Sequence, residues 1–325
     1  MLLIKYLKVV KKWYERIHVL NADIRKYKRA YAGMEYGRGE VSTAARNIMV
    51  YSHVVEKGLS HKIIKPLFGY KKVGIIADSL KTYLQNNGND QYIIDLAVST
   101  LRTYNRINKE MGIASDKLFV IPEEVISNGC IDVGATECYA EQLFNIEPGA
   151  ASCLIKKRHS IRLYDYKSLP ISLSEIKECI ETAQSSPSAC NRQAVRVKII
   201  MNDGDIKKVS SIQGGSDGFG ANAGAILVIT SDLSLYEPAE RRIPMFDCGL
   251  FTMNLVYALL EKKIGSCILN GSFTLEREKE IRKIIPISNN EMYASLIALS
   301  RISLDQKVKI TKSHKKSVDE IISIV

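Results

Sequence analysis

The segment Lys156-Lys157-Arg158-His159-Ser160-Ile161-Arg162 gathers cations around one hydroxyl. Side chains alternate with period two in an extended chain, so Arg158, Ser160 and Arg162 would share one side. Two guanidinium groups and a hydroxyl on one side suit a phosphate or the polar edge of a heterocycle. A second cluster, Ser185-Ser186-Pro187-Ser188-Ala189-Cys190-Asn191-Arg192-Gln193, puts amide and hydroxyl groups into a loop before a strand. A third consists of His53 and Glu56, which share a helical face and could pair with each other or with a polar ligand. Each cluster, taken singly, also reads as a solvated stretch or a surface pair.

Other chemistries find less support. The seven cysteines make an odd count with no Cys-x-x-Cys pair, unlike a zinc site or a disulfide framework. Free thiols in a reducing cytosol account for them most simply. His53, His61, His159 and His314 are too scattered for a metal spacing. Gly218-x-Gly220-x-x-Ala223 has the spacing of a dinucleotide fingerprint but precedes a strand-like run, where that site needs to follow one. Asp247, near the start of a long helix, reads as a cap or a buried hydrogen-bond partner, and Cys190 as a packed small residue.

The elements that must position these groups differ between the two halves of the 325-residue chain. Residues 1–32 form an amphipathic basic helix, with Leu3, Leu7, Val10, Trp13 or Tyr14 and Ile17 at helical spacing between lysines. Helical period continues over Ser42–Lys57 (ending at Gly58), Lys72–Leu84 and Gln91–Met111, with no useful strand alternation. The stretch 127–151 has no sustained period, and Glu147-Pro148-Gly149 resembles a linker, so the expected domains are 1–150 and 151–325. From 152 onward helices alternate with β-rich runs. A capping box at Ser172–Glu175 starts one helix, and further helices are expected at 205–212, 245–262 and 275–284. Strands are expected at 195–201, 225–230, 266–269 and 293–299. The expected fold class is α+β, mixed layers around one core, preceded by an all-helical N-terminal module.

Composition bounds the function. Hydrophobic residues at 46% and charged residues at 25% are an ordinary globular mixture, which excludes whole-chain disorder and fibre. The net charge of +11 suggests an anionic partner. It is spread over both halves, unlike a discrete nucleic-acid-binding arm, so no nucleic-acid partner is expected. No apolar run is expected to reach the ~20 residues of a membrane span. Lys5, Lys8, Lys11 and Lys12 interrupt the start, unlike a signal peptide, so a cytoplasmic protein is expected. The basic helix 1–32 could pack on its own protein, or lie weakly on an anionic membrane surface at the inner face.

Taken together and in order, R-H-S-I-R, then P-S-A-C-N-R-Q and a strand, resemble the nitroreductase-like FMN-dependent oxidoreductase family. The resemblance continues through Phe246-Asp247-Cys248-Gly249-Leu250-Phe251-Thr252-Met253-Asn254-Leu255 and Ile264-Gly265-Ser266-Cys267, and covers about residues 152–325. The H-x-x-E-K-G-L stretch at His53–Leu59 and the G-F-G loop at 218–220 resemble a subgroup often associated with polysaccharide-biosynthesis loci. The resemblance implies a mixed sheet flanked by helices and a homodimer binding FMN at its interface. Arg158, His159, Ser160 and Arg162 would hold the flavin phosphate, ribityl chain and pyrimidine edge. Pro187, Ser188 and Asn191 would form the loop that the partner subunit contributes. Leu269, Asn270 and Gly271 would approach flavin N5, and Lys312 and Lys315 would meet the phosphate.

The implied activity passes hydride from NAD(P)H through flavin N5 to an electron-poor acceptor: a nitroaromatic, a quinone or an unsaturated metabolite. The redox chemistry would belong to the cofactor, and no side-chain acid or base is strictly required. The alternatives are a catalytically silent FMN-binding or membrane-surface scaffold, or flavin-dependent oxidation of a sugar-linked intermediate. Three departures bear on affinity and pocket shape more than on fold. Ala194-Val195 stand where the family usually has proline and an aromatic residue, Ser300 replaces a glycine, and the C-terminal phosphate arginine is lysine.

Overall fold

The computed structural model describes residues 2–31, 39–122, 125, 131–164, 170–313 and 315–325. Cys130, His314 and part of the 127–151 stretch lie outside them, as do the side chains of Leu3, Lys5, Leu7, Lys8, Lys11 and Lys12. The N-terminal half is helical: α1 (Leu2–Ala30), α2 (Glu40–Leu59), α3 (Tyr70–Gln85) and α4 (Gln91–Glu110). Helix α2 runs through Gly58, the expected cap, to Leu59. A Cβ at Gly58 would fall 2.2 Å from the Phe68 ring, so this glycine serves close packing. Asp90 caps α4 by accepting from the Tyr92 backbone N–H at 3.0 Å. Short helices α5 (Ala140–Phe144) and α6 (Ala150–Lys157) follow, so the residues that resemble a linker run into the start of α6.

Beyond α6 come α7 (Leu173–Ala183), β1 (Val195–Ile200), α8 (Asp203–Gln213) and β2 (Ala225–Asp232). Helix α9 (Ile243–Glu261), β3 (Ile264–Asn270), α10 (Leu275–Ile284) and β4 (Glu291–Arg301) complete the set. The four strands pair in the order β1-β2-β4-β3, and every pairing is antiparallel. The mixture is therefore of helix and sheet layers; strand directions within the described sheet do not mix. Alternation along β2 sends Leu227 and Ile229 toward α7 and α9, and Ile226 and Val228 toward α8 and α10. The α+β expectation holds.

Helix α9 is long and apolar enough to cross a membrane by length and composition, which corrects the expectation that no run reaches that length. Half of it is buried inside the protein, where Phe251, Leu255 and Leu259 pack under the sheet. The helical half shares its core with the rest of the chain. Ile48, Val98, Leu101 and Tyr104 form one cluster with Ala194, Leu233, Leu235 and Tyr236. Arg46 of α2 pairs with Glu237 across the same boundary.

Candidate active site

The strip that follows α6 is extended and anchored at two points. The Ile161 backbone N–H donates to the Ser266 carbonyl of β3 at 2.9 Å, and the Tyr164 hydroxyl to the Ala298 carbonyl of β4 at 2.8 Å. Tyr164 is buried and packs edge-on against Phe219. Arg158, Ser160 and Arg162 of this strip bear on the buried Cys267 thiol of β3. Burial pushes that thiol up, and Arg162, a Ser160 hydrogen bond and Arg158 oppose the shift. The strip carrying these side chains thus runs extended beside β3. His159 sits half-buried between them.

The second group lies on the opposite edge of the sheet. The loop 186–194 leads into β1, whereas Arg158–Arg162 runs beside β3, and two strands separate them. Three strand spacings amount to roughly 14 Å. Leu269, Asn270 and Gly271 end β3, with Leu269 buried and Asn270 exposed. A Cβ at Gly271 would lie 2.6 Å from the Ala294 carbonyl, so only glycine allows that close approach to β4. Lys312 and Lys315 are exposed on the tail after β4. Among the described residues, no hydrogen bond or ion pair joins them to the arginine strip. One chain therefore assembles the strip with the end of β3, and leaves Pro187, Ser188 and Asn191 apart from it.

That loop is held in an unusual shape. Cys190, Asn191 and Gln193 have positive φ angles of 53°, 50° and 49°. Such backbone persists only where its surroundings over-determine it. Ser188 Oγ accepts from the Gln193 N–H at 3.1 Å, and the Asp247 carboxylate accepts from the Ala189 N–H at 3.1 Å. Tyr236 donates to the same carboxylate at 2.8 Å; burial beside Asp247 pushes its phenol far up, which keeps it a donor. The Asp247 side chain is thus the buried hydrogen-bond partner its position suggested.

Arg192 is buried beneath the loop. Its guanidinium donates to the Ala189 and Leu235 carbonyls, both at 2.8 Å, and forms a bidentate pair with Glu240. It also stacks on the Tyr236 ring at 4.8 Å. The sequence showed Arg192 only as one more polar loop residue. Its partners lie 43 and 48 positions away, beyond any local signal.

A pocket of about 570 Å³ opens beside this loop, within the usual range of small-ligand sites. Its lining draws on Pro187, Ser188 and Gln193 of the loop, Asp247 and Phe251 of α9, and Met49, Asp90 and Tyr92 of the helical half. Gln193 Nε2 donates to the Tyr92 hydroxyl at 2.8 Å across the gap. Tyr92 was missed by sequence reasoning, because it falls off the apolar face that marks α4. The His53–Glu56 pair forms as its spacing predicts, at 3.3 Å. Among the described residues, no cluster of histidine, cysteine and carboxylate could hold a metal ion.

Comparison with known proteins fits this geometry. The pattern of the Nitroreductase family matches residues 155–210, which include the arginine strip and the loop. A relative from Archaeoglobus fulgidus, provisionally named an NADH dehydrogenase/NAD(P)H nitroreductase, is 30% identical over 150 residues, covering 45% of this chain and 82% of the relative. Among solved structures, a nitroreductase family protein from Streptococcus pneumoniae is 21% identical, covers 54% of this chain and 100% of its own, and gives a TM-score of 0.46. An FMN-dependent nitroreductase from Clostridium difficile is 17% identical, covers 49% and 91%, and gives a TM-score of 0.42. Identity sustained over four-fifths of the archaeal relative, with the family pattern spanning Arg158 to Arg192, makes this chain a member of the nitroreductase family.

Proposed function

We propose that the protein is an FMN-dependent oxidoreductase that uses NAD(P)H to reduce an electron-poor acceptor such as a nitroaromatic, a quinone or an unsaturated metabolite. The observation that carries this reading is the extended strip Arg158–Arg162, tied by the Ile161–Ser266 hydrogen bond to the strand that leads into Leu269, Asn270 and Gly271. Two guanidinium groups with a hydroxyl match a phosphate monoester and its attached ribityl chain. Leu269, Asn270 and Gly271 bring backbone to the same strand's end, where Gly271 packs directly against the Ala294 backbone of β4. FMN, when bound, supplies the hydride chemistry. The chain's own residues bind the phosphate, shape the pocket and hold the acceptor.

The division of the site between two sheet edges supports a homodimer, in which the Pro187–Asn191 loop of a second copy completes the cofactor site. The exposed Lys312 and Lys315 would reach the phosphate in the same assembly. Purified protein should be yellow, should melt higher with added FMN, and should bleach anaerobically with NADH or NADPH. A colourless protein with no FMN-dependent thermal shift would sink the reading.

One observation favours a separate role for α1. Val10, Trp13 and Tyr14 are 42%, 64% and 60% exposed, so the apolar face of this basic helix is left uncovered there. We propose that it makes weak contact with an anionic membrane surface. Sedimentation with anionic vesicles should be lost on deleting residues 1–32 while flavin turnover persists; no sedimentation of the full chain would dismiss the contact.

A further inference from the structure

The helical half contributes directly to the pocket beside the Pro187–Gln193 loop. Helix α4 begins at the Asp90 cap, which fixes Tyr92 in its first turn, and the Asp90 N–H donates to the Tyr83 hydroxyl at 3.1 Å. Tyr92 is therefore held by the backbone of a capped, packed helix and does not sit on a mobile loop. Its hydroxyl oxygen accepts from Gln193 Nε2 at 2.8 Å. A hydroxyl that accepts one bond still has its own proton to donate. Burial, and the nearby Glu56 and Asp90 carboxylates, raise the phenol's pKa, so that proton stays in place at neutral pH.

The rest of the lining narrows what could receive it. Met49, Ile93 and Phe251 offer apolar surface for a flat ring. Arg196, a cation on the wall, already donates to the Gln193 and Val195 carbonyls at 2.8 and 3.0 Å. Asp90 faces it with the opposite charge. The other carboxylate of the lining, Asp247, already accepts from the Ala189 N–H and the Tyr236 hydroxyl, so the lining does not call for a charged ligand.

Resting on the flavin reading above, we propose that Tyr92 is a specificity-determining residue of this site. It donates a hydrogen bond to the carbonyl or nitro oxygen of a flat, uncharged acceptor seated in the pocket. The helical half is then a wall of the substrate site, and the Tyr92–Gln193 bond ties that wall to the family loop.

Binding of duroquinone to the full-length, FMN-bearing, oxidised protein tests this. Without reductant no turnover occurs, and calorimetry reads affinity alone. Tyr92→Phe should weaken duroquinone about three- to tenfold, the worth of one hydrogen bond, while FMN affinity stays unchanged and the melting temperature falls by no more than about 2 °C. Gln193→Glu provides an independent variant: its carboxylate would accept the phenol proton, and should weaken duroquinone while leaving the Tyr92 oxygen in place. Duroquinone affinity within twofold of wild type in both variants would overturn the proposal, as would failure of duroquinone to bind the wild-type flavoprotein. Failure of the wild-type chain to bind FMN would instead overturn the reading beneath it.

Discussion

Replacing Arg192 with methionine should cost about 3–5 kcal/mol of stability, the range found when one partner of a buried ion pair is removed. Methionine keeps most of the apolar stem. It leaves the Ala189 and Leu235 carbonyls without the donors they now have at 2.8 Å. Each buried carbonyl so stranded costs about 1–3 kcal/mol. The Glu240 carboxylate adds less, because its side chain is 30% exposed and can recover water, whereas that of Arg192 is only 3% exposed. Unfolding entropy near 2.1 cal/mol/K per residue, taken over the chain, converts this loss to a fall in Tm of about 4–7 °C. Calorimetry of Arg192→Met, Glu240→Gln and the double variant should give a coupling energy of about 2 kcal/mol. Hydrogen exchange should locate the effect. With the guanidinium gone, the positive-φ backbone at Cys190, Asn191 and Gln193 loses a main restraint, and amides 188–193 should exchange faster than those of α7 or β1. A Tm within 1 °C of wild type (roughly 0.7 kcal/mol by the same conversion), with unchanged exchange in the loop, would refute the view that Arg192 holds it.

Three further outcomes are expected. Gly271→Ala places a Cβ against β4 backbone, which cannot swing aside, and should destabilise by about 1–3 kcal/mol; Gly58→Ala meets only the Phe68 ring and should be rescued in large part by Phe68→Leu, as denaturant midpoints would show. A thiol reagent should label the exposed Cys138 and Cys153 quickly, and Cys179 and Cys248 only on unfolding, because burial pushes those thiols up to about 11 and about 12. Hydrogen bonds from the Ser172 backbone and hydroxyl, then the Arg301 guanidinium, hold the Glu175 carboxyl below its ordinary 4.5. Its contribution is therefore complete above that value and is lost as pH falls through the lower folded-state value; Glu175→Gln should flatten that part of the acid limb of a stability–pH curve.

What could be read from sequence follows the range of each interaction. Helix α10 spans Leu275–Ile284 as expected, because its cap Thr274 and its period are local. Strand β4 runs from Glu291 to Arg301, beyond the apolar alternation that marks 293–299, because pairing with β2 and β3 sets its ends. The extended run at 158–162 follows its alternating side chains, whereas its bond from Ile161 to Ser266 of β3 joins distant positions and had no local signal. The partners of Arg192 and Tyr92 likewise had none, since Gln193 reaches Tyr92 across 101 positions. Ala194 shows how a local departure can carry distant information. At the position where the family resemblance implies a proline, Ala194 is fully buried in the cluster that includes Ile48, Val98 and Tyr236. A small side chain there lets the helical half close against the loop that a larger residue would hold off. The departure at 194 and the helical extension are thus two sides of one packing arrangement, and enlarging Ala194 to phenylalanine should separate Tyr92 from Gln193 before it disturbs the sheet.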